Sequence, residues 1–206
     1  MIIASTITES KGTPTGVSEK GKGVFSMISA IIYSSTTGSC EFYAREMSRK
    51  LAIPCYSVKN LKLPKGMEVI YVGWAMAGKI VGLSKIRKDY AVKAVVQVGM
   101  SPVYPTSADA ASKQNDLSGV KVFVKQGRFD INRLPLPFKL IMKVKCKEIA
   151  GRMEAKGNLN EAEQALLKMA KTGKGEPPCW DVEDVVAWEK ENRNPLDVMK
   201  WYEPID

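Results

Sequence analysis

Apolar and polar positions follow two rhythms along this chain. From Met27 onward, short apolar runs at 28–33, 55–58, 69–72, 94–98 and 120–125 have the length and composition of buried strands. Between them lie stretches with helical spacing. In the first, at 39–51, Phe42, Met47 and Leu51 fall near one face while Arg45, Arg49 and Lys50 face water, and Pro54 closes it. Further helices are expected at 79–90 and 107–117. Five short strands alternating with helices predict an α/β fold, built from parallel βαβ units with helices on both faces of the sheet. After Gly127 the rhythm changes. A linker at 128–137 leads to helices at 138–155 and 160–172, a break follows at 173–178, and a last amphipathic helix at 181–191 uses Val182, Val185, Val186 and Trp188, with Asp181 as its N-cap.

Residues 3–24 are dominated by Ser, Thr, Gly, Lys and Glu with scattered apolar positions, so 1–26 is expected to be a disordered leader. Met27, just before the first strand, is a candidate translation start. The expected layout is a leader at 1–26, an α/β domain at 27–172 and an acidic helical tail at 173–206.

Composition narrows the chemistry. The 206 residues are 45% hydrophobic and 26% charged, as in an ordinary soluble globular protein. No apolar run approaches the ~18 residues of a membrane span, and the N-terminal residues lack the apolar core of a secretory signal. A cytoplasmic location is expected. There is no histidine, which excludes Ser-His-Asp and Cys-His catalysis and every histidine-based metal site. Cys40, Cys55, Cys146 and Cys179 stand singly, a spacing that supports neither a zinc site nor a redox dithiol. The net charge of +9 is uneven: residues 121–171 hold twelve basic and five acidic groups, residues 172–206 four and nine. A basic body with an acidic end suits acidic partners, anionic lipid or nucleic acid, and charge alone does not choose among them.

The strongest candidate site is the turn after the first strand, Ser34-Ser-Thr-Thr-Gly-Ser-Cys40. A buried strand ends there and a helix begins, so unpaired N–H groups and the helix dipole meet several hydroxyls. That is a phosphate-binding arrangement. Ser and Thr are equally at home as plain N-caps, and the turn alone leaves both readings open. The loop after the third strand, Gly73-Trp-Ala-Met-Ala-Gly-Lys79, fits the spacing G-x-x-x-x-G-K, but Ile80 stands where a magnesium-binding Ser or Thr would be. An NTPase reading is rejected on that ground.

The segment from Ile31 through Ser34-Ser-Thr-Thr-Gly-Ser-Cys40 to Leu51 resembles the N-terminal FMN-phosphate signature of flavodoxins. The resemblance is close over the loop and its helix and looser over about residues 27–150. It implies a flavodoxin-like three-layer sandwich with a five-stranded parallel sheet in the order 2-1-3-4-5, extended here by C-terminal helices. It implies FMN as cofactor, with Ser35, Thr36, Thr37, Gly38, Ser39 and Cys40 around the phosphate. Trp74, Ala75, Met76, Ala77 and Gly78 would border the ring from the second loop, and Gly99, Met100 and Tyr104 from a third. Ser39 and Cys40 depart from the family pattern of Asn and Thr, and a thiol is the poorer donor, so weaker phosphate binding is expected. The ring-side loops at 73–80 and 98–106 lack Asp and Glu and include Lys79. A reduction potential less negative than that of ordinary flavodoxins follows.

Residues 127–147 resemble, more weakly, the corresponding part of bacterial flavodoxin-domain proteins that include the menaquinone-dependent protoporphyrinogen oxidases. Lys139, Lys143 and Lys147 fall at i, i+4 and i+8 as one basic stripe, with Phe138, Ile141, Met142 and Ile149 on another face. The stripe suits an anionic membrane surface or an acidic redox partner, and a solvated surface helix whose apolar face covers the sheet is the plainer reading. No aromatic residue interleaves with the lysines and no nucleic-acid motif occurs. The acidic tail is a candidate shield for this helix. The expected function is FMN-based electron transfer without acid–base catalytic residues, to a redox partner protein. Two alternatives stand beside it: a membrane-associated flavin-dependent oxidase of the protoporphyrinogen type, acting with a quinone and a porphyrinogen at the inner face of the membrane, and a cofactor-free binding module.

Overall fold

Strand alternation divides the apolar residues between two cores. Along β1 (Ala30–Ser34), Ile31 and Tyr33 are buried on one side of the sheet, and Ala30 and Ile32 on the other. The same division continues in β3 (Glu68–Met76), with Ile70 and Val72 opposite Val69 and Tyr71, and in β5 (Ala91–Gly99), with Val96 and Val98 opposite Val95. Burial on both faces explains why these strands read as continuous apolar runs. The first core is roofed by α1 (Ser39–Leu51) and α6 (Glu183–Asn192), the second by α2 (Leu83–Asp89) and α3 (Ser107–Gln114). The computed structural model describes residues 27–193; the expected leader at 1–26 and the last part of the expected tail, 194–206, lie outside them.

The central sheet is parallel in the order β2-β1-β3-β5-β6, where β2 is Cys55–Ser57 and β6 is Lys121–Gln126. The difference from the expected 2-1-3-4-5 is one inserted strand. A short antiparallel β4 (Lys79–Ile80) pairs back onto the end of β3, so the runs expected at 94–98 and 120–125 become β5 (Ala91–Gly99) and β6. The helix expected at 79–90 is corrected accordingly to a hairpin followed by a shorter α2. Ala77 (φ 49°) and Gly78 (φ 80°) make the reversal, since consecutive left-handed residues close a two-residue hairpin. The third strand also runs through Trp74 to Met76, beyond the expected 69–72.

Beyond the sheet, the expected linker forms β7 (Phe129–Asp130) and a short 3-10 turn before α4 (Leu136–Lys156). Helix α4 folds back on α5 (Glu161–Thr172), whose start is fixed by a reciprocal pair: Asn160 Oδ1 accepts the Glu163 N–H, and the Glu163 carboxylate accepts the Asn160 N–H. Inside the expected break, β8 (Lys174–Gly175) pairs antiparallel with β7. A third apolar cluster joins Phe129, Cys146, Met169 and Ala170 to Met142 and Ile149.

The acidic C-terminal segment lies against α1 and β6. Val182, Val185 and Val186 belong to the α1-side core, Lys50 pairs with Glu183, and Lys125 Nζ is 2.7 Å from Asp184 Oδ1. The shielding of Lys139, Lys143 and Lys147 by this segment is therefore not found over residues 173–193. Asp181 stands one residue ahead of the helix cap at Val182, and its Oδ1 accepts the Glu183 N–H at 3.0 Å.

Candidate functional site

The loops at the C-terminal ends of β1, β3 and β5 converge on one cavity of about 580 Å³, between α1, α3 and α4. Its volume is within the usual ligand-pocket range. It lies beside β1 and β3, where the strand order reverses and α/β sheets open a crevice.

Gly38 is the N-cap of α1, its φ of 96° suits glycine, and the first α-helical bond runs from the Phe42 N–H to the Gly38 carbonyl. The N–H groups of Ser39, Cys40 and Glu41 are thereby left without intrahelical acceptors. Of the six residues expected around a phosphate, Thr36, Thr37, Ser39 and Cys40 line the cavity. Ser35 and Gly38 shape the turn instead, with Ser35 Oγ accepting the Gly38 N–H at 3.1 Å. The Ser39 hydroxyl accepts the Arg128 N–H at 2.8 Å, and the Thr37 hydroxyl donates to the Arg128 carbonyl at 3.3 Å. These contacts tie the turn to the connection between β6 and β7. Burial pushes the Cys40 thiol up to about 12, so it stays protonated and unreactive at neutral pH.

All the ring-side candidates, Trp74, Ala75, Met76, Ala77, Gly78, Gly99, Met100 and Tyr104, are in the cavity wall. Trp74 is half-buried and packs against the α1-side core while meeting Phe138 edge to face, with ring centroids 5.7 Å apart. Tyr104 is exposed; its N–H is accepted by Ser107 Oγ at 2.9 Å. A Cβ on Gly99 would meet nothing within 4 Å, so the strand end there faces open space. Lys79 is not part of the wall. Its ammonium donates to the Gln114 carbonyl.

Several wall residues had no functional reading in the sequence. Gln97 is one, and its Oε1 is buried without a hydrogen-bond partner, an acceptor awaiting a donor. The α4 residues Phe138, Ile141, Met142, Lys145 and Ile149 form another group. Their helical spacing was legible, but the expected burial surface was the sheet rather than a cavity. No carboxylate lines the cavity, and the two charged wall residues, Arg128 and Lys145, are both cationic. Each has a carboxylate beside it on the surface: Arg128 Nε is 2.6 Å from Glu176 Oε1 and Lys145 Nζ is 2.7 Å from Glu148 Oε2.

Among the described residues no group of His, Cys, Asp and Glu side chains could hold a metal ion, and no helix is long and apolar enough to cross a membrane. No family model and no curated protein matches the chain, so the reading of this cavity rests on its own geometry.

Proposed function

We propose that this chain is a flavodoxin-like protein that binds FMN non-covalently in the 580 Å³ cavity and serves in electron transfer. The carrying observation is the convergence of an uncapped helix N-terminus, an apolar aromatic wall and the unpartnered Gln97 side-chain oxygen Oε1 on one cavity. Bound FMN would supply the redox chemistry. The chain's own residues fit such a group. The first-turn N–H groups of α1 and the Thr36 hydroxyl offer donors to a phosphate. Trp74, Met76 and Met100 offer flat or polarisable contacts to a ring. The Gln97 oxygen offers an acceptor to a ring N–H, and Phe138 and Met142 on α4 exclude water. The sheet order β2-β1-β3-β5-β6, with helices on both faces, is compatible with a flavodoxin-like sandwich.

Titration of the purified full chain with FMN and with riboflavin, followed by flavin fluorescence, tests this reading. FMN should bind at least about tenfold more tightly than riboflavin, since the phosphate contacts are charge-assisted. Binding of neither flavin would leave the cofactor-free module. A flavin-dependent oxidase of the protoporphyrinogen type is favoured by one observation, the apolar α4 wall at Phe138, Ile141, Met142 and Ile149. It requires quinone-dependent oxidation of a porphyrinogen by the FMN-loaded chain.

A further inference from the structure

Helix α4 has two apolar faces, and only one is covered. Met142, Cys146 and Ile149 turn inward to the α4–α5 cluster, and Phe138 meets Trp74. On the outer side Leu136, Leu140 and Val144 follow one another at i, i+4 and i+8 with relative exposures of 76%, 62% and 68%, and Ile141 beside them is 52% exposed. These are the four most exposed large apolar side chains among the described residues. A surface helix ordinarily gives this side to polar residues.

The charge around the ridge is one-sided. No acidic residue occurs between Asp130 and Glu148, whereas Arg133, Lys139, Lys143, Lys145 and Lys147 do. Lys139, Lys143 and Lys147 run along one flank of the ridge without a carboxylate partner among the described residues, and Lys145 stands on the other flank. Lys143 and Lys147 also edge a groove of about 360 Å³ between α4 and α5, with Lys171 on its far side. Among the described residues of the C-terminal segment, Glu183, Asp184 and Glu176 are engaged elsewhere, with Lys50, Lys125 and Arg128.

We infer that the outer face of α4 docks peripherally on an anionic lipid bilayer. Leu136, Leu140, Ile141 and Val144 enter the headgroup–acyl boundary, and the flanking lysines reach the lipid phosphates. A second copy of the chain is a poor occupant, since two-fold pairing of this face would set unpaired lysine stripes against each other. The bilayer satisfies both features at once. Because Ile141 and Lys145 also belong to the cavity wall, docking sets the cavity beside the lipid surface. The docking inference does not rest on the flavin reading, and flavin-free and FMN-supplemented protein should bind vesicles alike.

Co-sedimentation of the full chain with phosphatidylcholine vesicles, with and without phosphatidylglycerol, tests it. Binding is expected with the anionic vesicles and at least about tenfold weaker with neutral ones. Each of K139Q, K143Q and K147Q should lower affinity about fivefold. The L140S/V144S double variant, which leaves net charge unchanged, should lose at least about tenfold. Its substituted side chains are exposed, so an unchanged unfolding midpoint verifies the fold. Absence of vesicle binding, equal binding to neutral vesicles, or undiminished binding by L140S/V144S would overturn the inference. So would a wild-type dimer in solution that the ridge variant converts to monomer.

Discussion

Ser39 and Arg128 are 89 residues apart, yet the Ser39 hydroxyl accepts the Arg128 N–H at 2.8 Å and lies 3.4 Å from the Arg128 carbonyl oxygen. The buried hydroxyl therefore couples the start of α1 to the connection between β6 and β7. It is committed to that junction, so in the proposed FMN site phosphate recognition would fall to the backbone N–H groups and Thr36.

Ser39→Ala should lower stability by about 1–2 kcal/mol, because the Arg128 N–H loses its acceptor in a part-buried position. The loop would also lose its anchor, so FMN affinity should fall in parallel. Urea unfolding of S39A against wild type, with a flavin titration of both, measures the two effects. An unchanged midpoint would show that the contact contributes nothing.

Gly127 sits between the same elements. A Cβ there would lie 2.6 Å from Val98 Cγ1 and 3.0 Å from the Ser39 Cβ and Oγ. Gly127→Ala should therefore destabilise the fold by about 1–3 kcal/mol through overpacking. The double variant G127A/S39A should lose less than the sum of the two single changes, since it removes the hydroxyl from the crowded space while the 2.6 Å approach to Val98 remains. A thermal melt of the three proteins decides.

The elements with a strong apolar pattern were legible in the sequence. Helix α1 begins and ends where its spacing and Pro54 place it, and the strand runs at β1, β5 and β6 are found within a few residues. The hairpin at β3–β4 was hidden, because Lys79–Ile80 carries no strand signal and its turn depends on Ala77 tolerating a positive φ. The α4 wall was hidden for a different reason. Periodicity assigns Phe138, Met142 and Ile149 to a buried face, but no local pattern says whether that face meets a sheet or a cavity. The outward ridge was also illegible, since Leu136, Leu140 and Val144 look like core positions in any helical reading. The Ser39–Arg128 contact joins loops far apart in sequence, which single-chain pattern reading does not reach.

The acid-free cavity wall has an electrochemical consequence. With Arg128 and Lys145 as its only charged members, the wall offers no carboxylate to oppose negative charge gained by a ring on reduction. Bound FMN should accordingly titrate at or above the potential of free FMN. Lys145→Glu should lower that potential by on the order of tens of millivolts. A spectroelectrochemical titration of both proteins checks the prediction; a wild-type potential far below free FMN would contradict it.

Trp74 is the tryptophan in the cavity wall. FMN placed against it should quench its emission, while Trp180 and Trp188, packed on the α1-side core, should respond less. In W74F the FMN-dependent quench should shrink markedly with the aromatic packing against Phe138 largely retained. Full quenching in W74F would put the flavin elsewhere.

High pH should destabilise the protein chiefly through three deeply buried groups, with burial also raising the Cys146 thiol and the Tyr33 phenol. Burial holds the Cys40 thiol up near 12 and raises Tyr43 and Tyr71 well above the ordinary phenol. Both phenols are needed as donors: Tyr43 Oη gives its proton to the Gln126 carbonyl at 2.7 Å, and Tyr71 Oη to the Val81 carbonyl at 2.6 Å. As pH rises past about 9, the unfolded chain releases protons that the native state retains, so the unfolded state binds fewer protons and stability falls. The stability is fully present below the unfolded values and is lost progressively on the alkaline side. The slope should approach about 1 kcal/mol per pH unit for each group, beginning near pH 9 for Cys40 and near pH 10 for the tyrosines. Denaturant unfolding at pH 8, 9.5 and 10.5 reads this slope directly. Cys40→Ala should flatten its earliest part while leaving the later fall in place; an identical profile in C40A would remove Cys40 from the explanation.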